Sequence, residues 1–167
     1  MTEVPPRTRQ VRLDSDRFDC VQRLAMYEIA GAMLDLSCEA QQVLGLRPDA
    51  CQIYLLIAVS TVQRHVRAHD GSFVGAAPLP EEMFSTVSRR RLSDVSGLPR
   101  ETVARHVRHL IERGLVVEIA RGRLSIPSGL LREVGPSGAL ERMAQRVATL
   151  ANALIRLDVL VPAPPRR

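Results

Sequence analysis

Apolar and small residues recur near the start of the chain at Phe18, Val21, Ala25, Ile29, Ala32, Leu36, Ala40 and Val43, at steps of 3, 4, 4, 3, 4, 4 and 3. Positions three and four apart share one face of an α-helix, so the series predicts a continuous helix from about Ser15 to Leu44 with one apolar stripe. Such a stripe must be covered, either by the rest of its own domain or by a second copy of the chain. Arg47, Pro48 and Asp49 break the pattern. A second helix is predicted from Ala50 to about Arg67, apolar nearly all round between Ile53 and Val59 and so the buried centre; its β-branched content leaves a strand as the minor alternative. Residues 70–80, DGSFVGAAPLP, read as a loop. A last stripe, Leu140, Met143, Val147, Leu150, Leu154 and Leu157, predicts a helix over about Ser137 to Leu160 before the tail VPAPPRR.

Between these helices the elements become short. Ser88 can cap a helix running to Val95, with Leu92 and Val95 turned inward, and Gly97 stands where a helix ends in a left-handed residue. Pro99 opens the next helix, to about Arg113, where a missing N–H costs nothing, and Gly114 closes it. Leu115–Ile119, a turn at Arg121-Gly122, and Arg123–Ile126 then predict a β-hairpin. Helix, tight turn, helix and hairpin make a winged helix-turn-helix. The expected fold is therefore mainly α: a three-helix core with a short hairpin wing, and long N- and C-terminal helices. The expected domains are 1–80, a helical dimerisation or support region; 81–130, the winged helix-turn-helix; and 131–167, the C-terminal helix and Pro-rich tail.

Composition narrows the chemistry. All 23 basic residues are Arg and none is Lys, which excludes a Schiff-base lysine and a Walker-type phosphate lysine. Only five residues are aromatic and none is Trp, so a groove that stacks bases on rings is not expected. The apolar run Ile53–Val59 is far short of the roughly 20 residues of a membrane span, and MTEVPPRTRQ has no apolar signal core. Cys20, Cys38 and Cys51 form no CxxC pair, so a reduced, cytoplasmic protein is expected, with Cys20 and Cys38 as buried or seam thiols on one side of the first helix. His65, His69 and Asp70 have a spacing able to offer two imidazoles to a metal, but no second pair of ligands completes a site. No metal and no cofactor are expected, and no nucleophile with an adjacent base, carboxylate pair or Gly-rich phosphate loop suggests an enzyme.

The net charge of +5 is unevenly spread: −3 over residues 1–83, +6 over 84–132 and +2 over 133–167. A basic block in the helix-turn-helix segment is the footprint of a polyanion-binding surface, although a solvated basic face with no partner has the same composition. On the second helix of that segment Val103, Val107, Leu110 and Ile111 share one face and must pack inward, while Glu101, Arg105, Arg108 and Glu112 share the opposite one. Arg89, Arg90 and Arg91 lie in the first turn of their helix, at the positive end of its dipole. Phosphate arriving there would turn that repulsion into binding.

Ser88 to Leu115, SRRRLSDVSGLPRETVARHVRHLIERGL, resembles the DNA-binding helix-turn-helix of the cyclic-AMP receptor protein family of bacterial transcription regulators, most closely at Arg100-Glu101-Thr102-Val103-x-Arg105. The resemblance, about 40 residues with the wing, implies that Arg100, Glu101 and Arg105 read base edges in the major groove and that Ser88, Arg89 and Thr102 hold phosphates. Arg90, Arg91, Arg108, Arg121 and Arg123 are further backbone candidates from charge and position. The chemistry is consistent, because Arg offers a donor fork to guanine and Glu accepts from cytosine. Pro99 replaces the family's usual Ser or Thr cap, and residues 1–80 are helical where that family has a cyclic-nucleotide β-roll, so the DNA-binding mode is carried over and the ligand is not. The implied protein is a homodimeric, sequence-specific transcription regulator with double-stranded DNA as partner and residues 99–113 in the major groove. Two other readings stay open: a winged helix used for protein contact, and a small-molecule-binding helical domain with an accessory winged helix.

Overall fold

The computed structural model describes residues 10–68, 84–128 and 138–163, with side chains given up to Gln63 in the first of these segments. The predicted loop at residues 70–80, the metal-type spacing of His65, His69 and Asp70, and the end of the Pro-rich tail lie outside what it describes. The fold is mainly helical with two small antiparallel sheets. In chain order the elements are β1 (Val11–Leu13), α1 (Ser15–Leu44), α2 (Pro48–Ala68), β2 (Val87–Ser88), α3 (Arg89–Ser96), α4 (Arg100–Glu112), β3 (Val117–Ala120), β4 (Arg123–Ser125), α5 (Ala139–Arg156) and β5 (Leu160–Pro162). Among the described residues, no single helix is long and apolar enough to cross a membrane.

Contacts divide the chain elsewhere than at the expected boundaries of 80 and 130. One compact unit joins the chain up to Cys38 with the chain from Glu141 onward, and the other is Glu39–Leu140. The physical reason is that α2 packs on α3 and α4, so it belongs to the helix-turn-helix segment and not to a separate N-terminal region.

In the first unit α1 begins on Asp14, whose carboxylate accepts the Arg17 N–H at 3.0 Å as an N-cap does. The helix bends at Val21, where φ and ψ of −116° and 17° leave the helical region. Beyond the bend Ala25 is fully buried and meets Leu154 and Val159, with Phe18, Val21, Ile29, Leu150, Leu157 and Leu160 packed around them. The first half of the stripe read from the sequence, Phe18 to Ile29, thus faces α5 and its exit. Arg146 and Asp35 form an ion pair between the helices. β1 and β5, which the hydropathy pattern does not predict, pair antiparallel with Arg12 opposite Val161.

Two inward expectations on α5 are corrected. Val147 is 52% exposed and Leu140 43%, whereas Leu154 is 9%. The helix carries two neighbouring apolar stripes, and the covered one holds Leu150, Leu154 and Leu157.

In the second unit α1 ends at Gly45, φ 59°, with the Leu46 N–H bonded to the Gln41 carbonyl at 3.0 Å. Pro48 then begins α2, whose Ile53 and Ile57 are completely buried. Exposure of Leu55 (43%) and Val59 (55%) shows that α2 is buried along one side and not all round. Ile53 and Ile57 share the core with Leu92 of α3, Val103, Val107 and Leu110 of α4, Val116, and Leu124 of β4. Val95 is 48% exposed, not inward as its spacing from Leu92 suggested. The sheet order is β2-β4-β3, so the expected hairpin gains a third strand: Val87 lies opposite Leu124 and Ser88 opposite Arg123.

Candidate nucleic-acid interface

Four local devices set the surface of the second unit. Ser88 Oγ accepts the Arg91 N–H at 3.2 Å and caps α3; its O–H remains a donor. Gly97 closes α3 at φ 71°, its N–H on the Ser93 carbonyl at 3.0 Å. The turn to α4 is tied by two serines that no spacing marks: Ser93 Oγ donates to the Leu98 carbonyl at 2.8 Å, and Ser96 Oγ accepts the Leu98 N–H at 3.2 Å. At the far end of α4, Leu115 N–H reaches the Leu110 carbonyl and Gly114 N–H the Ile111 carbonyl, a Schellman closure with Gly114 at φ 71°.

α4 presents the faces expected of it, except that Ile111 is only half-buried and lines a cleft. Val103, Val107 and Leu110 are completely buried, and Glu101, Arg105, Arg108 and Glu112 are exposed in one file on the opposite side. Arg100 is exposed beside them, and Thr102 is half-buried at the edge. His106 is half-buried, its Nε2 4.0 Å from Oδ2 of Asp49 in α2. Arg113 anchors the helix end from beneath, donating to the Gly45 carbonyl at 2.8 Å and the Leu44 carbonyl at 2.9 Å.

A residue outside the sequence expectation organises the rest. Glu118 of β3 receives Arg89 Nη2 at 2.8 Å on one carboxylate oxygen and the Gly122 N–H at 2.6 Å on the other. It straps the hairpin tip to the first residue of α3. The Gly122 bond, and behind it the Arg89 guanidinium, outweigh the opposing cost of desolvation and hold the Glu118 carboxyl below its ordinary value.

Arg89 and Arg108 line one cleft of about 390 Å³ with Ala104, Ile111, Glu112 and Glu118, so the structure brings these two candidates together between α3, α4 and β3. Arg90 lies 3.9 Å from Asp94, an exposed i, i+4 pair. Two of the three arginines at the start of α3 therefore have a carboxylate of their own chain nearby. Arg91, Arg121 and Arg123 are exposed, the last two on the hairpin at a turn where Gly122 has φ 73°.

Among the described residues no three His, Cys, Asp or Glu side chains group as metal ligands. Cys20 and Cys38 are exposed, correcting the expectation of burial within the chain, and Cys51 is buried. No protein-family model, curated protein or solved structure matches the chain.

Proposed function

We propose that the chain is a sequence-specific, double-stranded-DNA-binding transcription regulator of the winged helix-turn-helix kind, working as a homodimer. In this reading α4 enters the major groove, Arg100, Glu101 and Arg105 meet base edges, and the capped start of α3 and the hairpin tip hold the flanking phosphates. The observation that carries the reading is the exposed file Glu101, Arg105 and Arg108 on a helix whose opposite face is fully buried. A rigid helix presenting guanidinium and carboxylate groups outward is what base-edge recognition requires. The resemblance of residues 88–115 to the cyclic-AMP receptor protein family supports the same roles. Ser88, Arg89, Arg90, Arg91, Thr102, Arg108, Arg121 and Arg123 are the backbone set, with Arg89 exchanging Glu118 for phosphate on binding. A dimer supplies the second half-site, because one recognition helix reads only a few base pairs.

Selection from a pool of random duplexes tests this reading. The expected product is an enriched motif in two symmetric half-sites spaced about one helical turn apart. A pool that enriches no motif over successive rounds contradicts it.

A further inference from the structure

The homodimer needs an interface, and α1 carries a second apolar face that its own unit leaves uncovered. Beyond the bend at Val21, Leu24, Tyr27, Gly31, Leu34 and Cys38 recur at steps of 3, 4, 3 and 4. That alternation is the repeat of a coiled-coil seam, and at 100° per residue it lies on another face of α1 than the stripe that packs on α5, with Tyr27 and Gly31 at the rim of the cleft between the two helices. Leu24 is 60%, Tyr27 79% and Leu34 65% exposed, and Gly31 and Cys38 are exposed with them. From Leu24 to Cys38 the only charged residues are Glu28 and Asp35, and Asp35 is bound by Arg146 of the same unit. A helix apolar over most of its circumference is ordinarily a buried one.

Gly31 says what covers it. Glycine in a helix interior is destabilising relative to alanine, so its presence asks for a reason. Among the described residues its own chain supplies none: Gly31 has no positive φ, and a Cβ built on it meets nothing within 4 Å. Four residues earlier stands the most exposed large side chain of the seam, Tyr27. When two copies of α1 run antiparallel about the midpoint between Tyr27 and Gly31, the Tyr27 ring of each falls on the partner's Gly31, and Leu24 of each on the partner's Leu34. This arrangement is isologous, as a two-fold dimer demands. A parallel, in-register pairing would instead set ring on ring and leave a gap between the two glycines. Tyr27, Glu28 and Gly31 line a cleft of about 510 Å³ that also holds Arg142 and Arg146 of the same chain, so the partner's ring over Gly31 would sit at the mouth of that cleft.

We propose that the seam Leu24, Tyr27, Gly31, Leu34 and Cys38 pairs antiparallel with that of a second copy, Tyr27 of each seated over Gly31 of the other. The proposal rests on the homodimer in the functional reading but not on DNA binding. Sedimentation equilibrium of the full chain without DNA, at micromolar concentration, should give a dimer. Gly31→Leu, which fills the socket with a good helix former, should weaken it roughly tenfold or more, as loss of a central aromatic anchor does, while circular dichroism shows the helix content unchanged. Orientation is read by oxidative cross-linking in a Cys20→Ser, Cys38→Ser background. Leu24→Cys and Leu34→Cys proteins should link when mixed and not when alone. A monomeric wild type, a dimer indifferent to Gly31→Leu, or linking by either single variant alone overturns the proposal. A monomer that still selects a DNA motif would leave the regulator reading without this seam, and a seam-paired dimer that selects none would do the reverse.

Discussion

The Glu118 carboxylate holds Arg89 and the hairpin tip together, so in the proposed function it competes with phosphate for Arg89. Glu118→Gln keeps the shape and removes the charge. It should raise affinity for random duplex with little change in the log–log salt slope, because Arg89 meets phosphate in both proteins and only the cost of parting from Glu118 is removed. Fluorescence anisotropy across a salt series checks this; an unchanged affinity would mean that Arg89 does not reach phosphate. The same carboxyl sets a pH dependence. Its folded-state pKa is lowered, so its contribution is present above the unfolded-state value and is lost as pH falls through the lower folded-state one. The Gly122 amide resonance should therefore titrate with a midpoint below the ~4.3 of an unperturbed glutamate. Tyr54 shifts the other way: burial, with Cys51 beside it, pushes the phenol up to about 12. A raised acid pKa stabilises the fold below the unfolded-state value and is lost as pH climbs through the folded one. Spectrophotometric titration of a Tyr27→Phe variant should find that late phenolate; ionisation near ~10 would place Tyr54 in water. None of this was legible beforehand, since Arg89 lies far along the chain from Glu118 and the burial of Tyr54 is set by the tertiary fold.

At the scale of elements, what the sequence did disclose came from steric rules with few exceptions. The 3-and-4 spacing gave α1 both its ends, Ser15 and Leu44, and Gly97 and Gly114 marked the stops of α3 and α4 because both need a positive φ. Gly97→Ala tests that reasoning cleanly. A Cβ there meets nothing within 4 Å, so the substitution should cost only the left-handed strain, about 1–2 kcal/mol in chemical denaturation. A neutral result would mean that the turn relaxes. The three strands β1, β2 and β5 escaped because pieces of two or three residues show no alternation to read. Val147 was misplaced for a different reason. Periodicity finds an apolar stripe but cannot say which of two adjacent stripes the tertiary fold covers, and on α1 and α5 the uncovered one remains exposed.

For the whole molecule, the acidic first half and basic middle of the sequence differ in charge and in the role proposed for each: the basic stretch forms the proposed reading surface, and the exposed seam of α1 forms the proposed joint between copies. The candidate site was legible as a list of residues, because α4's two faces follow from 3.6 residues per turn. Its restraint by Glu118 and its support by Arg113 on the end of α1 were not. The decisive measurement compares Arg105→Ala with Arg121→Ala on the selected duplex and on random duplex, both variants first shown to keep wild-type helix content and stability. Arg105 stands mid-helix on the outward face and Arg121 at the hairpin tip. If α4 reads bases, Arg105→Ala costs roughly 1–3 kcal/mol on the selected duplex and little on random DNA, while Arg121→Ala weakens both alike. An Arg105→Ala variant that loses the same factor on both duplexes contradicts base reading by α4.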